Sequence, residues 1–212
     1  MALAGLTAGE IKPTALILNI LVALIGSIQF WKAGHFSWKL FWPFALLSAP
    51  AAWLGGYIHL SQGIFRPLVG AVLWISAIRF LIRPEDPPAA APPGKIVALG
   101  SGAGIGFLAG LTGTGGGIFL TPLLLLFRWA HTKNAAAVSA VFILVNSTSG
   151  LLGYLHSGRT IPAFAWPLAV AAVLGGFAGS YFGSRKFPVR IIRILLAVVL
   201  AIAGTKLIFT LS

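Results

Sequence analysis

Long apolar stretches alternate with short polar segments along almost the whole chain. Because an α-helix needs about 20 apolar residues to span the hydrocarbon core of a bilayer, each long stretch predicts one membrane helix. The flanking segments contain Gly, Lys, Arg and His, as is typical of turns at a membrane surface. The pattern therefore predicts an all-α polytopic membrane protein with helices at residues 14–31, 38–58, 64–82, 135–155, 162–183 and 188–210.

The apolar segment at residues 96–127 differs from the others because a glycine cluster interrupts it, within the sequence GLTGTGGGIF. One straight helix of this length would extend roughly 48 Å, whereas the hydrocarbon core is roughly 30 Å thick. Two shorter helices joined by a turn fit better, and glycine supplies the positive φ angles of such a turn. Backbone at membrane depth is tolerated only beside protein or a water-filled cavity. We therefore predict a broken, re-entrant helix whose glycine turn lines a central cavity.

Two parts of the chain match each other when one is shifted by 124 residues. The matches fall at residue types for which chance agreement is least expected, namely Gly26 with Gly150, Gly34 with Gly158, Trp42-Pro43 with Trp166-Pro167, and Arg66 with Arg190. Duplication of this kind is the usual construction of secondary transporters. We interpret residues 1–83 as a first helical repeat, residues 84–95 as a Pro-rich linker and residues 96–212 as a second repeat.

The relative orientation of the two repeats depends on residues 96–127. If this segment crosses the membrane once, the repeats run parallel, and if it forms a hairpin, they are inverted. We favour the inverted arrangement. The glycine-rich segment has no counterpart in the first repeat, because that counterpart would precede Met1. This leads us to expect that the chain is a truncated form or that its start is set late.

Composition supports the prediction of a membrane protein and restricts the charge of the expected substrate. Hydrophobic residues make up 58% of the chain and charged residues 8%, against about 25% charged residues in soluble domains. Lys and Arg number 15, whereas the acids are Glu10, Glu85 and Asp86 alone. Basic loops that face anionic lipid explain much of this excess. Cation carriers and proton pumps usually need an intramembrane Asp or Glu, so the shortage of acids favours an anionic or neutral substrate.

Residue types alone exclude several kinds of site. The chain has no cysteine, which excludes disulfides, thiol catalysis and thiolate metal sites. Its four histidines do not stand at metal-ligand spacing, so we predict no metal site. Nucleic-acid binding is a poor explanation for the positive charge, because the basic residues interrupt apolar spans and do not form a stripe.

The glycine turn carries the chemistry of a candidate anion site. The helix after the turn would begin near residues 116–118, with its free N–H groups and positive dipole end directed at the cavity, as in other anion sites. The alternative is close helix packing, which we assign to Gly102, Gly106 and Gly110 because of their spacing. A nucleotide site is excluded, since the segment lacks G-K-[ST] and no strand precedes it. The predicted substrate contacts of the turn are Thr112, Gly113, Thr114, Gly115, Gly116 and Gly117.

A second polar set lies on the predicted helix at residues 135–155. Ser139, Asn146, Gly150 and Gly153 share one helical face, and the Asn146 amide can donate a hydrogen bond to an oxyanion. Asn19 lies on the corresponding face of the first repeat. We predict Ser139, Asn146 and Asn19 as further substrate contacts, with interhelical hydrogen bonding as the alternative.

The sequence GFLAGLTGTGGGIFLTPLLLL, followed by AAAVSAVFILVNSTSGLLGYLHSG, resembles the second repeat of TauE/SafE-type sulfite exporters. KPTALILNILVALIGSIQFWKAGHFSW resembles the middle of their first repeat. The resemblance implies a multi-pass carrier of small anions in the bacterial inner membrane, without cofactors or catalysis. Members of the family are linked to sulfite, sulfoacetate and related organosulfur compounds. The family's motif falls on Gly113, Gly115, Gly116, Gly117 and Pro122, with Ser139 and Asn146 on the following helix.

Residues and resemblance together predict a secondary transporter, an exporter of small anions such as sulfite, sulfonates or related organosulfur compounds. The expected mechanism is alternating access, in which the two repeats rock around an anion held at the glycine turn. The expected partners are this anion and the lipid bilayer, with no nucleic acid and with a homodimer left open. Two other classes remain as alternatives: an anion channel that uses the same donors, and a non-transporting membrane scaffold.

Overall fold

The computed structural model describes residues 8–58, 65–82, 85–86, 89–160 and 165–209 of the 212-residue chain. All regular structure within these residues is helical, which confirms the predicted all-α class. The helices in chain order are α1 (Ala8–Lys32), α2 (Trp38–Tyr57), α3 (Phe65–Ile82), α4 (Lys95–Thr112), α5 (Gly117–Leu126), α6 (Thr132–His156), α7 (Ala165–Tyr181), which a π-helical turn (Phe182–Lys186) extends, and α8 (Val189–Phe209).

The helices follow the apolar stretches of the sequence closely. The stretches at residues 38–58 and 64–82 form α2 and α3 almost residue for residue. Helices α1 and α6 begin earlier than predicted, because polar residues before each apolar stretch add helical turns. The interrupted segment at residues 96–127 forms two helices, α4 and α5, as its length required.

Within the described residues, four segments are long and apolar enough to cross a membrane: Lys12–Lys32, Lys95–Thr112, Thr132–His156 and Pro167–Lys186. Together they confirm the membrane class. The other predicted spans also fold as helices, α2, α3 and α8, but they are not among these four.

Helices α1 and α6 lie side by side in opposite directions. Lys12, near the start of α1, lies 6.0 Å from the ring centroid of Tyr154 near the end of α6. Asn134, near the start of α6, donates to the carbonyl of His35 just beyond α1, at 2.9 Å. We call the end of the bundle with Lys12 and Tyr154 the Lys12 end. The end with His35 and Asn134 is called the linker end, because Asp86 of the linker contacts α6 there.

Helices α3 and α8 are also antiparallel. The indole N–H of Trp74 donates to Thr205 Oγ1 at 3.1 Å, and the Arg193 guanidinium lies 5.9 Å from the ring centroid of Phe80. The start of one helix therefore lies beside the end of the other. An apolar core on the linker side of the bundle surrounds α5 with residues of α2, α3, α6 and α8, among them Phe44, Phe80, Leu124, Phe142 and Leu200.

Glycines bring α2 into backbone contact with two neighbouring helices. In α4, a Cβ at any of three glycines would collide with a carbonyl oxygen of α2, the pairs being Gly102 with Phe44, Gly106 with Ser48 and Gly110 with Ala52. This result confirms the packing role that the spacing of these glycines predicted. On another side of α2, Gly56 lies directly against the backbone of Gly150 in α6. Helix α2 is therefore held between α4 and α6 with no side chain separating the backbones.

Asp86 attaches the linker to the helices at the linker end. Its Oδ1 accepts hydrogen bonds from the Thr132 N–H at 2.9 Å, the Thr132 hydroxyl at 2.5 Å and Arg193 Nη2 at 2.9 Å. The carboxylate thus caps the start of α6, where the helix dipole favours negative charge. Nearby, the N–H of Ala91 donates to the carbonyl of Arg128 at 3.1 Å. The segment that contains α4 and α5 therefore begins and ends at the same end of the bundle.

We predict that Gly106→Ala destabilises the protein whereas Gly104→Ala does not. A Cβ at Gly106 would collide with the Ser48 backbone, but nothing lies within 4 Å of a Cβ at Gly104. Overpacking a close contact costs about 1–3 kcal/mol, whereas Ala at an open helix position is favoured over Gly by up to about 1 kcal/mol. Thermal unfolding of the purified protein in detergent measures the difference. Equal unfolding temperatures for the two variants would contradict the backbone contact.

Candidate functional site

A turn of four residues joins α4 to α5, and three of its glycines adopt positive φ angles. These angles are 75° at Gly113, 69° at Gly115 and 83° at Gly116, and Gly117 is the first residue of α5. A side chain in this left-handed region costs roughly 1–2 kcal/mol per residue. The glycine cluster is therefore required by the backbone of the turn, as the sequence indicated.

The turn is buried between α1 and α6. Asn19 of α1 donates from Nδ2 to the carbonyl oxygen of Gly113 at 3.1 Å. A Cβ at Gly115 would lie 2.6 Å from Ser147 Oγ and 2.8 Å from Ile143 Cγ2 of α6. The side chains of Asn19, Ile143 and Ser147 thus form the wall against which the turn packs.

The hydroxyl groups predicted as substrate contacts are already hydrogen bonded in part. Thr112 Oγ1 donates to the carbonyl of Leu108 at 2.7 Å and lies 2.9 Å from Thr114 Oγ1. Ser139 accepts a hydrogen bond from Thr121 of α5 at 2.7 Å. Ser139 therefore lies beside α5, Thr112 is the last residue of α4, and Thr114 belongs to the turn.

Two buried donors on α6 lack hydrogen-bond partners in the described part of the chain. Asn146 is 0% exposed, and its Oδ1 accepts from Ser48 Oγ at 2.6 Å, but its Nδ2 makes no hydrogen bond. The next residue, Ser147, is fully buried with an unpaired Oγ. Leaving a buried polar group unpaired costs about 1–3 kcal/mol. The interhelical bond predicted as the alternative for Asn146 is thus present, yet it uses only one of the two amide atoms.

Sequence reasoning missed a cationic cluster that adjoins the turn. The backbone and stem of Lys12 pack on Gly113, where a Cβ would lie 3.0 Å from the Lys12 carbonyl oxygen and 3.2 Å from its Cγ. Lys12 Nζ lies 6.0 Å from the Tyr154 ring centroid, and the Arg159 guanidinium lies 5.2 Å from the same centroid. The available signal was that Lys12 and Arg159 each lie at one end of a long apolar segment, next to residues at which a membrane helix begins or ends.

Among the side chains that the structure describes, those at the turn are rich in donors and include no carboxylate. The first N–H groups of a helix have no partners one turn back in that helix. In α5 the Phe119 and Leu120 N–H groups donate to the Gly116 carbonyl at 3.1 and 2.9 Å, which leaves the N–H groups of Gly117 and Ile118 at the helix start. Ser147 Oγ and Asn19 Nδ2 approach the same turn. Asp86, in contrast, bonds to Arg193 at the linker end. Donors of this kind, with the positive end of a helix dipole, can bind an anion.

Comparison with known proteins gives a consistent result along the chain. The family model described as Sulfite exporter TauE/SafE matches residues 1–207. The chain is 41% identical to the probable membrane transporter protein y4hK of Sinorhizobium fredii over 222 aligned positions, which cover 99% of this chain and 87% of that protein. No solved structure matches the chain.

More distant relatives carry the same kind of name. The probable membrane transporter protein YunE of Bacillus subtilis is 26% identical over 220 positions, covering 92% of this chain and 79% of that protein. A probable membrane transporter protein of Methanocaldococcus jannaschii is 24% identical over 203 positions, covering 90% of this chain and 76% of that protein.

We predict that Gly115→Ala destabilises the protein more than Gly34→Ala. Both glycines have positive φ, so both variants incur the same conformational cost of roughly 1–2 kcal/mol. Only Gly115 is enclosed, by Ser147 and Ile143, whereas nothing lies within 4 Å of a Cβ at Gly34. The steric collision should add about 1–3 kcal/mol for Gly115→Ala. Unfolding temperatures measured side by side test this, and a larger loss for Gly34→Ala would show that the turn is not tightly packed.

Proposed function

This chain belongs to the sulfite exporter TauE/SafE family, and on that premise we propose that it carries small oxyanions such as sulfite or sulfonates across the bacterial inner membrane. The family and the names of the relatives support a membrane transporter and not an enzyme. The single observation that carries the choice of substrate is the pair of buried, unpaired donors on α6, namely Ser147 Oγ, which lies against the glycine turn, and Nδ2 of the preceding residue, Asn146.

The proposed anion site lies at the start of α5. Sulfite and sulfonates present several acceptor oxygens and no donor, which suits the N–H groups of a helix start, a hydroxyl and an amide. A bound oxyanion would give Ser147 Oγ and Asn146 Nδ2 the partners that they otherwise lack. Binding energy would then come from satisfying donors whose burial the folded protein already tolerates.

Inverted repeats provide the proposed moving parts. When 124 is added to the numbers of the first and last residues of α1, the result is the first and last residues of α6. These two helices are antiparallel. It also carries the Gly26–Ser180 approach of α1 and α7 onto the Gly150–Gly56 contact of α6 and α2. Contacts that map onto one another in this way support a pseudo-two-fold arrangement, the common basis of alternating access.

A hairpin formed by α4 and α5 fits the same scheme. The hydrogen bond between Ala91 and Arg128 closes the two ends of this segment at the linker end. In the proposed arrangement α4 and α5 enter and leave on one side of the membrane, and the turn lies within the protein between α1 and α6. In this arrangement the hairpin does not cross the membrane, so only the three helices α1, α2 and α3 cross it before α6. Because three is an odd number, α6 starts on the side opposite to the start of α1, and the second repeat is inverted.

Charge distribution supports an orientation in which the linker end faces the cytoplasm. Loops on the cytoplasmic side carry an excess of Lys and Arg. By chain position, the linker end has Lys32, Lys39, Arg79, Lys95, Arg128, Lys133, Arg185, Lys186, Arg190 and Arg193, and Arg83 lies outside the described residues. The remaining members of the 15 are Lys12, Arg66, Arg159 and Lys206. The Lys12 end then faces away from the cytoplasm.

We expect Ser147→Ala to weaken sulfite transport without destabilising the protein. The variant removes a buried hydroxyl that has no partner, so no hydrogen bond of the described structure is lost. The matched control is Thr148→Ala, because the exposed Thr148 bonds only to the Leu144 carbonyl of its own helix. Sulfite counterflow into proteoliposomes measures the half-saturation concentration. Loss of one donor should raise it about 5- to 10-fold for Ser147→Ala and leave it unchanged for Thr148→Ala.

The same assay separates the alternatives. Saturable counterflow supports a carrier and argues against an anion channel, which would give flux without counterflow. A well-inserted Ser147→Ala protein with unchanged half-saturation would remove Ser147 from the site. Absence of any flux of sulfite, sulfonates, sulfate or carboxylates in the unaltered protein would favour the non-transporting scaffold.

The orientation is tested by labelling single cysteines, for which the cysteine-free chain needs no prior change. His156→Cys places a thiol at an exposed position of the Lys12 end, and Lys39→Cys places one at an exposed position of the linker end. In spheroplasts, a membrane-impermeant maleimide should label His156→Cys directly and Lys39→Cys only after permeabilisation. The reverse labelling pattern would overturn the orientation.

A further inference from the structure

Lys12 and Arg159 form a cationic cluster at the Lys12 end that the proposed turn site does not use. Lys12 is 8% exposed, and its ammonium donates to the carbonyl oxygens of Gly55 at 3.2 Å and Gly56 at 3.1 Å. These carbonyls belong to the last turn of α2, where a cation is favoured. An ammonium has three donors, so two described hydrogen bonds leave one for another acceptor.

Arg159 adds a second positive charge at the same place. It follows the end of α6, and its guanidinium lies 5.2 Å from the Tyr154 ring centroid. Its Nη1 is buried and has no hydrogen-bond partner in the part of the chain that the structure describes. A guanidinium presents its donors as a planar fork that matches two oxygens of an oxyanion. The Arg159 side chain is therefore a cation with a buried donor that is still available.

The described carboxylates do not neutralise this pair of charges. Glu85 and Asp86 belong to the linker, and Asp86 already bonds to Arg193. Two cations that share one aromatic ring repel each other, and the repulsion grows as the surroundings become less polar. An anion between them would offset the repulsion and accept the spare donors. The third acid of the chain is Glu10, whose side chain lies outside the described residues, and the test below includes it.

We propose that Lys12 and Arg159 together bind an oxyanion beside the Tyr154 ring, forming a second anion site next to the glycine turn. The ligand class is a small oxyanion with at least two free oxygens, such as sulfite, sulfate or a sulfonate group. The phosphate of a lipid headgroup shares this chemistry. The stem of Lys12 packs on Gly113, so the site adjoins the turn on the side of the Lys12 end. Its part in transport rests on the proposed function, whereas its binding of oxyanions does not.

Binding is tested by thermal unfolding of the purified protein in detergent as sodium sulfite or sodium sulfate replaces sodium gluconate at constant ionic strength. Stabilisation by a ligand rises with its concentration relative to its dissociation constant. Arg159→Gln should shift the concentration needed for a given stabilisation upward at least about tenfold, the usual effect of losing a charged hydrogen bond. Lys12→Gln should act similarly, but it also removes two hydrogen bonds, so Arg159→Gln is the decisive variant.

The controls match the change in charge without touching the cluster. Arg79→Gln and Lys39→Gln remove exposed charges at the linker end, and they should respond to sulfite and sulfate as the unaltered protein does. Equal responses of Arg159→Gln and Arg79→Gln would overturn the proposal. So would a Glu10→Gln variant that gains oxyanion binding absent from the unaltered protein, because Glu10 would then be the native counter-charge.

Lipid composition distinguishes the two sources of the oxyanion. In liposomes of phosphatidylcholine alone, free sulfite should bind through Arg159. Phosphatidylglycerol is then added, and stabilisation by sulfite is measured again. If the lipid abolishes this stabilisation in the unaltered protein but not in Arg79→Gln, the lipid acts through Arg79, and the result contradicts competition between lipid phosphate and sulfite at Lys12 and Arg159. If it abolishes the effect in both, the lipid phosphate occupies the site in the membrane, which supports oxyanion binding by Lys12 and Arg159.

Sulfite counterflow separates failure of this proposal from failure of the proposed function. Arg159→Gln should raise the half-saturation concentration about tenfold while the maximal flux is kept, because the turn site remains intact. No flux in the unaltered protein, together with Arg159-dependent stabilisation, would overturn the transport function and leave the anion site standing. Normal flux with identical behaviour of Arg159→Gln and Arg79→Gln in both assays would overturn the anion site alone.

Discussion

Direct contact between helix backbones, made possible by glycine, is the interaction on which the rest of this structure depends. Helix α2 touches α4 along Gly102, Gly106 and Gly110, and it touches α6 at Gly150. In a bilayer the helices gain little from hydrophobic burial against one another, so such close packing is a main source of their association. Because α2 holds both neighbours, the end of α4 and the turn that follows it meet α6 in a defined position.

The two ends of the bundle differ in whether their most buried cation bonds to a described carboxylate. At the linker end Asp86 neutralises Arg193 and caps α6 in one set of hydrogen bonds. At the Lys12 end, Lys12 and Arg159 share the Tyr154 ring instead of a described carboxylate. Both ends are basic in sequence, yet only the three-dimensional arrangement shows which cations bond to a described carboxylate and which do not.

The helices and the glycine turn could be read from the sequence, because both depend on local properties. Apolar stretches set the bounds of α2 and α3, and the glycine cluster marked the positive φ angles at residues 113, 115 and 116. The surroundings of the turn could be read only in part: Asn19, a predicted contact, bonds to Gly113, but most of the contacts join residues that are distant in the sequence. The hydrogen bond from Thr121 to Ser139 and the bond from Lys12 to Gly55 across 43 positions left no signal in the local pattern.

The backbone contacts of α2 also restrict how members of such a lineage can diverge. At a glycine where an added Cβ would collide with a neighbouring carbonyl, even alanine requires a local shift of the backbone. Few substitutions are therefore tolerated at the glycines that hold α4, and with it the turn, against α2. The side chains beside the turn are constrained differently: Asn19 bonds to the Gly113 carbonyl and Ile143 encloses Gly115, whereas the Ser147 hydroxyl bonds to no described group. Under the proposed function, selection for a different anion would therefore act first on Ser147, within a frame that the backbone contacts hold in place.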